Sequence, residues 1–384
     1  MGKLYFGYIY LMKMNLRPLF FLLSSLISLH SRAQEKPWML APFTKIDSIN
    51  PILKPGKLKF RDPILNKQVA WEEKYVFNPA AVVRNGKVYL LYRAEDTVQK
   101  LAGVSRIGLA ESTDGIHFTR RPAPVLYPKN DAYKKYEWEG GCEDPRVVED
   151  DKGTYYMTYT AYDGTTARLF IATSRDLINW TKHGSVFAKA ENGKYINYWS
   201  KSGAVVAKRS GDKIIAAKIN GKYWMYWGES NIYLATSPNL IDWTPIPETD
   251  PAKKQYDSLR NYEAFKIAFG PRKGRFDSQL VEPGPPAMVT NNGIVFIYNS
   301  RNSPEYGDKN LPAGTYSAGQ ILADEEDPFN IIDRSENNFF TPDKPYEITG
   351  QVNNVCFLEG LVYFKNKWFL YYGTADEQLA VAVK

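Results

Sequence analysis

The chain has 384 residues, a formal net charge of +7 and 14% aromatic residues. Four basic residues and no acids lie within residues 1–33, so the rest of the chain carries only +3. Its lysines and arginines are interspersed with acids and form no basic stripe, which argues against a nucleic-acid partner. Only two cysteines are present, and the three histidines are too few for most metal or nucleophile schemes. We therefore expect no metal, no cofactor, and acid–base chemistry performed by carboxylates.

The N-terminal segment, residues 1–33, has the pattern of a secretory signal peptide. Basic residues precede an apolar run from Leu19 to Leu29, and small residues end at Ala33. The run is short for a transmembrane helix, and no cysteine near the cleavage position could carry a lipid. We predict a secreted, periplasmic protein without a membrane anchor.

Residues 34–76 are rich in proline and resemble an irregular lead-in, whereas the chain repeats itself from Phe77 onward. A short aromatic strand after a turn occurs five times, with steps of 67, 68, 72 and 73 residues between copies. The copies are Gly86–Tyr92, Gly153–Tyr159, Gly221–Trp227, Gly293–Tyr298 and Asn366–Tyr372.

A second unit, Ala-x-Ser-x-Asp or Asn with an aromatic residue four positions later, follows three of these strands. It begins at Ala110, Ala172 and Ala235. Its Ser and Asp or Asn side chains suit a turn in which they bond to nearby backbone groups.

Five repeats of about four short strands predict an all-β fold, a five-bladed β-propeller over residues 77–384. The fifth repeat ends one strand early, so we expect residues 34–76 to supply the strand that closes the ring. A β-sandwich would explain the strands but not the five-fold register. Cys142 and Cys356 fall in blades that are not neighbours, so both thiols should be free.

The innermost strand of each blade begins beside the central axis, and polar residues at these starts should converge on a funnel. Asp144 and Glu282 reach it from blades two and four, and Glu229 follows the second strand of blade three. Carboxylates, arginines and aromatic rings together are typical of a sugar site, and inverting glycosidases need an acid and a base about 6.5–9.5 Å apart. Asp144 is thus a candidate catalytic acid, although an Asp/Arg pair bracing a strand end is the alternative.

Seven segments in order resemble glycoside hydrolase family 130, the β-mannoside phosphorylases and β-1,2-mannosidases. They are Phe77–Ala80, Tyr92–Ala94, Ser105–Gly115, Glu143–Arg146, Lys218–Tyr223, Gly284–Pro286 and Tyr371–Asp376. The resemblance implies that Asp144 is the proton donor, acting through a sugar hydroxyl. It also implies that four polar residues surround the mannose: Asn78, Arg93, Arg106 and Asp376. Trp138, in the loop before Asp144, is a candidate to stack on the next sugar, with a packing role equally open.

The sequence departs from the phosphorylase pattern where the resemblance would place the phosphate site. Leu280 and Asn299 replace a lysine and a histidine, and Trp227-Gly228-Glu229 replaces a His-Arg-Pro triplet. Two acids, Glu229 and Glu282, are gained. We expect such a pocket to repel phosphate and to hold and deprotonate a water, which favours a hydrolase.

The resulting prediction is an inverting, exo-acting glycoside hydrolase that releases mannose from β-1,2-linked manno-oligosaccharides, its β-mannoside partner. Catalysis is assigned to Asp144, Glu229 and Glu282. The alternatives are a phosphate-dependent β-mannoside phosphorylase, a non-catalytic sugar-binding propeller, and a five-bladed pentosidase or fructosidase, since fold does not fix chemistry. The sequence leaves the oligomeric state open.

Overall fold

Strands dominate the computed structural model, which describes residues 36–98, 101, 103–253 and 264–384. Strand makes up 47% and helix 4%, so the predicted all-β class is confirmed. The signal peptide predicted over residues 1–33 lies outside the described residues. None of the described helices is long and apolar enough to cross a bilayer.

The strands pair in successive antiparallel groups along the chain. The chain first forms β1 (Thr44–Lys45), β2 (Lys59–Asp62) and β3 (Lys67–Ala70). The first group contains β4 (Tyr75–Arg84), β5 (Lys87–Glu95), β6 (Ser105–Ser112) and β7 (Thr119–Arg120). The second contains β8 (Gly141–Glu149), β9 (Tyr155–Tyr162), β10 (Ala167–Ser174) and β11 (Thr181–Ser185).

The later groups follow the same order with more interruptions. The third contains β12 (Gly203–Ser210), β13 (Lys213–Ala216), β14 (Lys218–Ile219), β15 (Lys222–Trp227), β16 (Ile232–Ser237), β17 (Thr244–Pro245) and β18 (Ile267–Phe269). The fourth contains β19 (Leu280–Pro283), β20 (Ala287–Thr290), β21 (Gly293–Arg301), β22 (Tyr316–Ala323) and β23 (Ile331–Arg334). The fifth contains β24 (Cys356–Phe364), β25 (Lys367–Thr374) and β26 (Gln378–Val383). Two single-turn helices, α1 (Lys134–Glu137) and α2 (Pro345–Ile348), and a 3₁₀ turn at Ala190–Gly193 lie between groups.

The repeated turn signals of the sequence form the expected local structure. Asn85-Gly86 has positive φ at both residues, as a tight hairpin turn between right-twisted strands requires. In the Ala-x-Ser-x-Asp unit, the Ser112 hydroxyl accepts a hydrogen bond from the Gly115 amide at 2.8 Å, and Asp114 accepts from the Ile116 and His117 amides. Ser174 with Asp176, and Ser237 with Asn239, repeat these bonds.

The N-terminal segment pairs with the last strand of the chain. Thr44 lies opposite Val383 and Lys45 opposite Ala382, so β1 is the fourth strand of the fifth group. The segment is also more regular than expected, because β2 and β3 form a hairpin with four paired positions. Cys142 and Cys356 are both free and buried, which confirms that prediction.

Buried ionic sets recur among the described strand groups and share one composition. In each set, a strand tyrosine donates its hydroxyl to a buried carboxylate, and a cation from the outermost strand of the same group pairs with that carboxylate. The sets are Tyr92–Glu72–Arg120, Tyr159–Glu137–Lys182, Tyr298–Asp277–Arg334 and Tyr372–Glu347–Lys45. In the third group, Tyr226 instead donates to the Pro328 carbonyl at 2.8 Å. We call these four the tyrosine–carboxylate sets, and β1 supplies the cation of the last one.

Candidate functional site

Two of the predicted site residues, Asn78 and Asp144, lie at matching irregularities of the inner strands. The register shifts between Phe77 and Pro79 in β4 and between Glu143 and Arg146 in β8. Asn78 and Asp144 have φ of 49° and 48°. Each precedes a proline, which has no N–H for the sheet ladder, so the strand bulges there and redirects the preceding side chain. The Asn78 amide then donates to Asp144 Oδ1 at 3.0 Å.

Arg93 joins this pair to two further acids. Its guanidinium donates to Asp144 Oδ1 at 3.2 Å, to Glu143 Oε1 at 3.1 Å and to Glu95 Oε1 at 2.7 Å. It also donates to the Ser105 hydroxyl at 3.0 Å. The structure therefore brings together three predicted site residues, Asn78, Arg93 and Asp144. Glu143 joins them, and we call these four residues the Asp144 cluster.

The pKa values of the neighbouring acids Glu143 and Asp144 are shifted in opposite directions. Burial opposes ionisation of Asp144, but the charges of Arg93 and Lys201 outweigh it and lower its pKa to about 2. Burial raises the pKa of Glu143 to about 7, against the attraction of Arg93 and with the repulsion of Asp144. Asp144, the expected proton donor, is therefore an anion at neutral pH, and Glu143 is the acid that holds a proton more firmly.

Glu229 and Glu282 come together although 53 positions separate them in sequence. The Val281 amide donates to the Ser230 carbonyl at 3.3 Å, which sets the residue after Glu229 beside the residue before Glu282. Lys201 then lies between the two carboxylates, with Nζ 3.7 Å from Glu229 Oε1 and 4.0 Å from Glu282 Oε1. Burial disfavours charged Lys201, yet the carboxylates of Glu282 and Glu229 raise its pKa above the usual range. The two predicted acids therefore share one ammonium group.

The remaining oxygens of the two acids have different partners. Trp199 donates its indole N–H to Glu229 Oε2 at 2.8 Å. Ser202 donates its hydroxyl to Glu282 Oε1. Burial raises the pKa of Glu282, and Lys201 opposes that shift.

A buried ion pair underlies the site. Arg146 Nη2 lies 2.8 Å from Glu359 Oε1, and both side chains are almost fully buried. Arg146 also donates to the backbone carbonyls of Asp144, Pro283 and Gly284. It thereby ties the backbone of Asp144 to the end of the strand that carries Glu282. Burial raises the pKa of Glu359 well above its usual range.

Asp376 belongs to the same site, while Trp138 is not joined to it by a described bond. Asp376 has a φ of 55° and is half-buried. Burial raises its pKa to about 7, Arg93 opposes the shift, and Asp144 adds to it, so these groups lie within electrostatic range. Trp138 follows α1 and is half-buried, and its backbone amide donates to the Lys134 carbonyl at 2.9 Å. Its stacking role stays a prediction.

Arg106 does not lie where it was expected, beside the mannose. Its fully buried guanidinium donates to Asp96 Oδ2 at 2.5 Å and to Asp62 Oδ2 at 2.7 Å, and it lies over the Phe60 ring. Its neighbour Ser105 contacts Arg93, and successive side chains of a strand point to opposite faces. Arg106 therefore braces the β2–β3 hairpin, and the geometry does not support a place for it beside the sugar.

Two positions at which the sequence departs from the phosphorylase pattern have structural roles. Trp227 is buried and packs with Phe187 and Phe265 at centroid distances of 4.9 and 5.2 Å. Asn299 exchanges hydrogen bonds with the Leu358 backbone at 2.8 and 3.0 Å. A cation is nevertheless present, because Lys201 lies between the two acids.

Five residues around the site were not predicted as site residues from sequence, although Glu143 and Glu359 were expected to be structural: Glu143, Arg146, Trp199, Lys201 and Glu359. A partial signal existed, since Ser202 occupies the same register position as Asp144 in the repeat, which makes Lys201 the counterpart of Glu143. Nothing in the spacing placed Trp199, because its loop between groups has no repeat counterpart.

This arrangement suits a polyhydroxylated neutral ligand. Carboxylates and Arg93 can bond hydroxyl groups, and the buried Oδ1 of Asn78 has no hydrogen-bond donor in the structure. No three His, Cys, Asp or Glu side chains among the described residues are placed to hold a metal ion. Acid–base chemistry on a sugar is the reaction that these groups can support.

Known proteins resemble this chain over nearly all of its described length. A family model described as β-1,4-mannooligosaccharide phosphorylase matches residues 43–384. A 1,2-β-oligomannan phosphorylase from Thermoanaerobacter sp. (strain X514) is 30% identical over 329 residues, which are 82% of this chain and 90% of that protein.

Solved structures are closer in sequence. A putative glycoside hydrolase from Bacteroides ovatus ATCC 8483 is 48% identical, with a TM-score of 0.84 over 91% of this chain and 97% of that one. A second solved structure is 45% identical, with a TM-score of 0.86 over 91% of this chain and 95% of that one. It comes from work showing that the GH130 family of mannoside phosphorylases contains glycoside hydrolases that target β-1,2 mannosidic linkages in Candida mannan. Structures of this family are β-propellers. The chain therefore belongs to glycoside hydrolase family 130, whose members act on mannosides.

Proposed function

We propose that this protein is a secreted, periplasmic, inverting glycoside hydrolase that releases mannose from the ends of β-1,2-linked manno-oligosaccharides. The observation that carries the proposal is the pair Glu229 and Glu282, both within 4.0 Å of Lys201 Nζ and close to the Asp144 cluster. The relative at 45% identity, from the work on β-1,2-mannoside hydrolases, supports the same reaction and linkage. The scaffold would be a five-bladed propeller that β1 closes after removal of the signal peptide.

The mechanism divides the proton transfers between the two acidic regions. Asp144 supplies a proton to the glycosidic oxygen, by way of a sugar hydroxyl, as the bond from that oxygen to C1 breaks. A water attacks C1 from the opposite face, and its proton passes to the Glu229–Glu282 pair. A β-mannoside then yields α-mannose and the shortened oligosaccharide.

Asp144 must first gain the proton that it delivers. Arg93 and Lys201 hold it as an anion at neutral pH, whereas the neighbouring Glu143 and Asp376 have pKa values of about 7. A sugar that excludes water from the cluster and draws Arg93 toward its hydroxyls would raise the pKa of Asp144. Asn78, Arg93 and Asp376 then hold the sugar, and Trp138 covers the next unit.

A phosphorylase remains the second candidate, because Lys201 could attract phosphate and the 30% identical relative is a phosphorylase. Against it stand the packed Trp227 and the bonded Asn299 at positions where phosphorylases have cations. Lys201 is also already paired with two carboxylates, which leaves little net positive charge for a dianion.

The test is incubation with β-1,2-mannobiose in the presence and absence of inorganic phosphate. Hydrolysis predicts two mannoses per disaccharide at a rate that phosphate does not increase. Mannose 1-phosphate as the main product would establish the phosphorylase instead. Binding without any released monosaccharide would contradict both enzymes.

A further inference from the structure

Glu229 and Glu282 share Lys201 but differ in accessibility. The Glu229 side chain is 27% exposed, whereas that of Glu282 is 5% exposed. A carboxylate that removes a proton from water must both reach that water and be stabilised as an anion. Glu229 meets both conditions, because it is reachable and receives the Trp199 N–H and the Lys201 charge on different oxygens.

Trp199 is fixed in place by the backbone around it. The next residue, Ser200, donates its amide to the Ala167 carbonyl at 3.0 Å and accepts the Leu169 amide on its hydroxyl at 2.9 Å. One residue further, the Lys201 carbonyl accepts the Gly228 amide at 3.0 Å. The segment that carries Trp199 is therefore tied to β10 on one side and to the end of β15, next to Glu229, on the other.

We propose that Glu229 is the base that accepts the proton of the attacking water, that Trp199 is the positioning residue that orients it, and that Glu282 holds the water without being its proton acceptor. The assignment rests on the proposed hydrolysis. As the water oxygen bonds to C1, its O–H bond breaks and the proton passes to Glu229. Glu282 Oε1 already accepts the Ser202 hydroxyl, so its other oxygen is left for the water.

The environment of Glu282 fits this supporting role. Its burial and the nearby Glu229 both raise the pKa of Glu282, which favours its protonated form. A protonated carboxyl can orient a water by hydrogen bonding but cannot deprotonate it. The two acids are therefore both necessary, for different reasons.

The first test replaces the indole N–H while keeping an aromatic ring. Trp199→Phe should lower kcat about 10-fold to 100-fold, the range for losing a hydrogen bond to a charged group, with KM changed less than about twofold. The acid limb of the pH–kcat profile should move to higher pH, because the bond favours the ionised carboxylate. Trp224→Phe is the matched control, since its N–H donates to the Ile219 carbonyl at 3.2 Å away from this cluster, and it should leave kcat, KM and the profile unchanged.

The second test separates the two acids and does not depend on the folding of a tryptophan variant. Azide is an anionic nucleophile that needs no base, so it should restore turnover to Glu229→Gln and give α-mannosyl azide. Azide should not restore turnover to Glu282→Gln. The pH–kcat profile of that variant should keep its acid limb, because Glu229 is unchanged. Rescue of Glu282→Gln alone, or a folded Trp199→Phe enzyme with unchanged kcat and acid limb, would overturn the assignment while hydrolysis by the wild type stands. Mannose 1-phosphate from the wild type would instead refute the proposed function itself.

Discussion

Two buried charged regions of this protein are neutralised in different ways. In the tyrosine–carboxylate sets, each buried acid has a tyrosine donor and a cation, as in Tyr159–Glu137–Lys182. In the central site, Arg93 serves three acids and Lys201 serves two, and one oxygen of Asn78 has no donor. The first region repeats one arrangement in four strand groups, whereas the second has different residue types at matching positions, such as Asn78 and Asp144.

This difference indicates that the first region serves stability and the second serves the reaction. Each buried acid of the sets has a tyrosine donor and a cation from its own strand group, so the set is complete without a ligand. In the central site, burial and ionised Asp144 raise the pKa of Glu143 to about 7 against the attraction of Arg93, whereas Arg93 and Lys201 lower that of Asp144 to about 2. We therefore expect substitutions in the sets to affect folding and substitutions in the centre to affect turnover.

The largest expected effect is on turnover at the centre. Asp144→Asn should lower kcat by about 10²–10⁴-fold, because the amide keeps size and hydrogen bonds but delivers no proton. Sugar affinity, measured by calorimetry, and melting temperature should stay near wild type. Asp163→Asn is the matched control, since Asp163 pairs with Arg168 outside the cluster, and its kcat should be nearly unchanged. An Asp144→Asn enzyme within about tenfold of wild type would remove Asp144 from the mechanism.

The next effect concerns the set that β1 completes. Lys45→Met leaves Glu347 buried without its cation, which should cost about 3–5 kcal/mol in the free energy of unfolding. The folded fraction should keep its kcat. Lys344→Met, which removes the more exposed pair with Asp47, should change denaturant unfolding little. Equal stability of the two variants would contradict the distinction between the regions.

A smaller expected effect is the pH dependence of stability that comes from Asp376 in the central site. The pKa of Asp376 is about 7 in the folded protein, above its ordinary value of 3.8, so unfolding releases its proton between these values. This contribution to stability is present below about pH 4 and is lost as pH rises through 7. Asp376→Asn should therefore melt at a higher temperature than wild type at pH 8, with a smaller difference at pH 4.5. Glu325→Gln, at an exposed position, should show no such trend, and a parallel pH dependence for Asp376→Asn and wild type would contradict the shift.

Local patterns in the sequence predicted much of the fold and part of the site. The Ser–Asp turns and Asn-Gly hairpins depend on bonds within a few residues, so sequence alone predicts them. Asp144 was placed at the centre by its position in the repeat, and Asn78 was placed near it by the family resemblance. The residues that sequence missed or misplaced depend on long-range packing. Lys201 and Trp199 reach Glu229 because the segment leading into β12 pairs with the end of β15, and Arg106 turns away because of the strand register.

The most direct test of the account is the configuration of the first-formed mannose, followed by time-resolved NMR during cleavage of β-1,2-mannobiose. An acid at Asp144 and a water held by Glu229 and Glu282 on the opposite face predict α-mannose, which then equilibrates by mutarotation. If β-mannose forms first, the reaction retains configuration, and the water-activating role of Glu229 and Glu282 is wrong.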